Sequence, residues 1–76
     1  MGISENEYKF MVEGITSDLI RLLVERNQYD IVSAVDAVYQ SETYAALNRP
    51  QTGLYYQSSG YVYEYLIHEL QFGKPE

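Results

Sequence analysis

The sequence predicts an all-α fold: a single three-helix bundle-like domain over residues 1–76, with a long helix 1, a kinked helix 2 and a C-terminal helix 3. Three observations carry this. Apolar residues recur at spacings of three and four in three separate stretches, the period of a helix buried along one face. Each stretch opens on a residue suited to capping a helix: Ser4, Asp30, and Ser58 or Ser59. Each also closes on a stop signal: Asn27-Gln28, Arg49-Pro50 and Gly73.

Ser4-Glu5-Asn6-Glu7 is a capping box, in which the Ser4 hydroxyl serves the Glu7 amide and the Glu7 carboxylate serves the Ser4 amide. Ile3 stands where a hydrophobic staple would begin, with Tyr8 as its packing partner. Tyr8, Met11, Val12, Ile15, Leu19, Leu22 and Leu23 then form one stripe, and helix 1 is expected from about Glu5 to Arg26. Gly14 costs it up to about 1 kcal/mol against alanine. It marks either a close crossing or a tolerated defect.

Asp30 caps helix 2, in which Ile31, Ala34, Val35, Val38 and Tyr39 share a face opposite Ser33, Asp36 and Gln40. Its β-branched residues make a buried strand the rival, and length and spacing favour the helix. At Ser41 the phase slips. A straight continuation would turn Tyr44 and Leu47 to water, whereas a fresh start at Ser41 makes a short turn, Glu42 to Leu47, set at an angle. Pro50-Gln51-Thr52-Gly53 is turn chemistry. Leu54-Tyr55-Tyr56 reads as an extended peg, with Leu54 in the core and one tyrosine on the surface.

Helix 3 buries Val62, Tyr63, Leu66, Ile67 and Leu70 on one face. A second strip, Tyr61, Tyr65, His68 and Phe72, lies away from it, leaving Glu64 and Gln71 as the polar sector. Helix 1 repeats this on a smaller scale: Phe10, Ile20 and Val24 fall off its main stripe. Exposed aromatic residues grouped on one strip are enriched at protein interfaces, although single exposed apolar residues need no explanation.

Composition bounds what the strip can serve. The apolar share of 46% is too high for a disordered chain. A domain of this size rarely draws more than about 3–5 kcal/mol from its core. With no cysteine, disulfides and zinc–thiolate sites are excluded, so a second copy or another protein is the remaining support. The net charge is −6, and Lys9, Arg21, Arg26, Arg49 and Lys74 stand apart. That disfavours nucleic acid and anionic membrane surfaces. No apolar run approaches the roughly 18 residues of a spanning helix. No secretory leader is expected, and Met1-Gly2 lacks the Ser or Thr that myristoylation wants at the place of Asn6. A cytoplasmic protein is the expectation.

Reactive chemistry finds little purchase. Glu64 and His68 sit one helical turn apart, but two side chains do not make a metal site. Ser58 and Ser59 precede a helix and read as caps. Gly53 and Gly60 are isolated, so no phosphate loop is present. Stacked bases would need a basic groove beside the tyrosines. No catalytic, cofactor-binding or metal residue is assigned, and no cofactor is expected.

The run Asp30…Tyr39-x-Ser41-Glu42-Thr43-Tyr44-x-x-Leu47, followed by Thr52-Gly53-Leu54-Tyr55 and Tyr61-x-Tyr63-x-x-Leu66, resembles a family of small uncharacterised acidic bacterial proteins, some encoded in toxin–antitoxin-like operons. The resemblance covers most of the chain and brings no catalytic motif. It implies a bacterial cytoplasmic protein, with an acidic partner-binding role as one option.

The expected function is therefore a non-enzymatic protein–protein interaction module. Its surface would be Tyr61, Tyr65, His68 and Phe72, with Ile20 and Val24 as a smaller patch, in a homodimer or with a basic protein. Two alternatives stay open: an antitoxin-like regulator neutralising a basic partner, and a small ligand-binding protein or enzyme using His68 with Glu64 or Tyr65.

Overall fold

The computed structural model describes residues 4–73. The staple at Ile3, Met1-Gly2 and the Lys74-Pro75 pair lie outside the described residues. The elements are α1 (Glu5–Asn27), α2 (Ile31–Gln40), α3 (Glu42–Leu47), two 3-10 turns (Pro50–Thr52 and Leu54–Tyr56) and α4 (Ser59–Phe72). The all-α expectation holds, but among the described residues four α-helices replace the expected three.

The capping box forms as read. Glu7 N donates to Ser4 Oγ at 3.1 Å, and Ser4 N donates to Glu7 Oε1 at 2.9 Å. The helix then runs until Gln28 takes a left-handed conformation (φ 61°) and turns the chain back. Val12, Ile15, Leu19, Leu22 and Leu23 are buried, as the stripe requires. Nothing lies within 4 Å of a Cβ built on Gly14, so this glycine is a tolerated defect and not a crossing point.

The kinked helix 2 is in fact two helices, α2 and α3, and Ser41 separates them. Its backbone is extended (φ −79°, ψ 152°). Its hydroxyl donates to Val38 O at 2.7 Å and accepts from Tyr44 N at 2.9 Å. One side chain thus ends one helix and starts the next. The break turns Leu47 fully inward.

The face assigned to helix 2 also needs correcting. Ala34 and Val38 are buried and Ala37 is partly so, but Ile31, Val35 and Tyr39 are exposed together with Val32. Helix α2 is apolar on two sides. The side with Ala34, Ala37 and Val38 is the one packed inward.

Leu54-Tyr55-Tyr56 is a 3-10 turn and not an extended peg, although Leu54 does enter the core and Tyr56 is exposed. Gly53 precedes it at φ 73°, the left-handed region that glycine tolerates best. Thr52 secures the bend: its hydroxyl lies 2.7 Å from Ala46 O and 2.9 Å from Arg49 O.

Helix α1 packs against both α2 and α4, and α3 packs against α2 and α4 in turn. Polar ties fix the ends. The Tyr8 hydroxyl donates to Leu47 O at 2.8 Å, holding the start of α1 to the end of α3. The Ser59 hydroxyl donates to Asp18 Oδ2 at 2.6 Å, holding the start of α4 to α1. The Tyr63 hydroxyl donates to Asn27 Oδ1 at the other end of α1. Among the described residues, no helix is long and apolar enough to cross a membrane.

Candidate interaction surface on helix α4

Ser58 opens α4 by accepting from Tyr61 N at 3.1 Å, and the Gly73 amide closes it on Glu69 O. Val62, Tyr63 and Leu66 are buried and Ile67 packs against the core. Leu70, expected inside, is 38% exposed. Glu69 takes the inward place instead, at 8% exposure.

The reason lies on α3. Glu69 Oε2 accepts from Glu42 N at 2.8 Å. Oε1 accepts from Thr43 N at 3.0 Å and from Thr43 Oγ1 at 2.9 Å. A carboxylate is stabilised at a helix N-terminus by the free amides there. Three donors offset the cost of taking it out of water. Sequence reasoning missed Glu69. Its signal was present: it falls three residues after Leu66 and seven after Val62, in phase with the buried face.

Anchoring that side of α4 leaves the aromatic row outside. Tyr61 is 46% exposed, Tyr65 52% and Phe72 73%, and His68 is exposed between them. The rings pair along the helix. Tyr61 and Tyr65 meet edge-on with centroids 5.5 Å apart, and His68 lies tilted against Phe72 at 4.8 Å. Edge-on contact between rings is favourable in itself, so the rings partly order one another along the row. The Tyr65 hydroxyl, by hydrogen bonding first and by charge second, pushes the Tyr61 hydroxyl above the usual tyrosine range.

The two candidates on α1 behave differently. Val24 is exposed, but Ile20 is half-buried and packs against the core, so the structure does not present them as a patch. The larger apolar surface that sequence reasoning missed is the outer side of α2, where Val32 is 75% exposed beside Ile31, Val35 and Tyr39.

Tyr65, His68 and Phe72 also form one wall of a cleft of about 560 Å³. Glu42, Thr43 and Ala46 of α3 and Arg49, Thr52 and Leu54 of the connecting turns complete it. His68 therefore sits at the rim of a concavity, with Arg49 as a further polar group. The engaged Glu69 carboxylate reaches the same cleft. Among the described residues, no group of three histidines, cysteines or carboxylates could hold a metal ion.

No family model matches the chain, and neither a curated protein nor a solved structure matches it. The functional reading therefore rests on the site itself.

Proposed function

We propose that this chain is a non-enzymatic protein–protein interaction module that works through the aromatic row of α4, first of all by self-association. The row itself supports the reading. Four ring side chains, with no lysine, arginine or carboxylate among them, lie on the outward side of a helix already anchored by its other side. Their size sets the strength expected. At about 200 Å² per ring side chain, Tyr61, Tyr65 and Phe72 leave roughly 350 Å² in water. A standard interface takes about 800 Å² from each partner. The row alone thus supports a weak, concentration-dependent dimer. Light scattering across a concentration series is the direct test. A dimer that Tyr65→Glu returns to monomer is the expected result. A wild-type chain that stays monomeric at the highest concentration would remove self-association.

The cleft beside His68 favours a second reading, small-ligand binding. Its volume of about 560 Å³ lies within the range of ligand sites, and Arg49 and His68 line it beside apolar Ala46, Leu54 and Phe72. A fragment screen by NMR checks it. Binding that shifts Leu54 and Phe72 resonances, and is lost when Ala46→Trp fills the cleft, would place this reading ahead of the first.

A further inference from the structure

The spacing of the row gives the self-association reading above, on which this inference rests, a definite geometry. Residues 61, 65, 68 and 72 are separated by four, three and four. These are alternating d and a positions of a heptad, the seam along which two helices pack side by side. The spacing is also identical read from either end. A two-fold axis crossing α4 midway, between Leu66 and Ile67, carries the row onto itself. We infer that α4 pairs antiparallel with α4 of a second copy, setting Tyr61 against the partner's Phe72 and Tyr65 against the partner's His68.

The flanking residues favour a second copy in this orientation. Glu64 and Gln71 are exposed and seven residues apart, both at the g position beside the seam. Antiparallel pairing brings Glu64 to the partner's Gln71, so a carboxylate meets an amide donor on each side of the axis. Parallel pairing would bring Glu64 towards the partner's Glu69, which is like-charged and already held by α3. On the same flank Glu64, Tyr65, Ile67, His68 and Gln71 leave a shallow, open surface that an apposed helix can approach. The other flank, Val62 and Glu69, is taken up by the molecule's own core and by α3. A chain of net charge −6 meets its copy here along a seam free of acids.

The absence of cysteine makes the geometry directly testable. Tyr61→Cys and Phe72→Cys variants are oxidised separately and as a mixture, with folding checked by circular dichroism. In the antiparallel pair the two copies of one position lie about 16 Å apart along the axis, too far for a disulfide. The mixture alone should therefore cross-link. A Tyr61→Cys variant that cross-links to itself as readily overturns the orientation. A wild-type dimer whose mixed variants fail to cross-link overturns the α4 seam but leaves self-association standing through another face, such as α2. A wild-type monomer removes both. As a second readout that keeps the rings, Gln71→Glu should raise the dimer dissociation constant several-fold and Gln71→Lys should lower it. Equal effects of the two would also overturn the pairing.

Discussion

Gly14 and Glu69 depart from their local pattern in opposite ways. Gly14 stands in mid-helix with open space around it, so an added methyl meets nothing and the unfolded chain loses freedom. Gly14→Ala should raise the unfolding free energy by about 1 kcal/mol and the melting temperature by roughly 4–8 °C, as calorimetry would read. Glu69→Ala should do the reverse. It strands the Glu42 and Thr43 amides and the Thr43 hydroxyl, at a cost of about 1–3 kcal/mol in denaturant unfolding. Tyr8 adds a pH dependence. Burial first, and the neighbouring Tyr55 second, push its hydroxyl above the usual tyrosine range. A raised pKa means that the neutral form stabilises the fold fully below about pH 10. That contribution is lost as pH rises through the higher folded value. Tyr8→Phe should start about 1 kcal/mol lower, for want of the bond to Leu47 O. It should then lose less stability on alkaline titration.

At the scale of the elements, α1 was legible almost to the residue because its cap, stripe and stop agree. The limits of α3 were legible too, because Ser41 and Arg49-Pro50 bracket a phase slip. The inward face of α2 was not. Five apolar residues at helical spacing suggested one buried face, yet Ile31, Val32, Val35 and Tyr39 look outwards. Spacing reports how wide the apolar sector is, not which part of it meets a neighbour; here the part with Ala34, Ala37 and Val38 faces the core. The Ser41 hydroxyl ties the α2–α3 corner with two bonds, to Val38 O and from Tyr44 N, beside the bond of the Ser41 amide to Val38 O. Ser41→Ala should cost about 1–2 kcal/mol. Amide exchange should speed up first in residues 42–47, which hydrogen-exchange mass spectrometry would show.

The molecule carries an acidic charge, and among the described residues the α4 row and the outer side of α2 are apolar surfaces that its own helices leave exposed. Charge and apolar surface oppose each other. Net charge of −6 repels a second copy at a distance, whereas the proposed pairing has the α4 row attract it at contact. Salt weakens the first and leaves the second, since the Debye length falls from about 30 Å at 0.01 M to about 8 Å at 0.15 M. Dimer population should therefore rise with ionic strength, as sedimentation velocity would measure; a fall would point to charge pairing across the contact. The outer face of α2 separates its own contribution. Val32→Lys should leave stability within about 0.5 kcal/mol. It should also leave any dimer formed through the proposed α4 pairing intact.

The sequence by itself determined the helical class, the caps, the breaks and the existence of the aromatic row. Those depend on neighbours three or four residues apart, and a linear pattern contains them. Tertiary structure alone decided which donors make a buried Glu69 tolerable, that Leu70 stays outside, that Ile20 is half-buried and Val32 bare, and that a cleft opens beside His68. Each follows from groups distant in the chain meeting in space: the Glu69 carboxylate finds its donors 26 and 27 residues away. No local period encodes that distance.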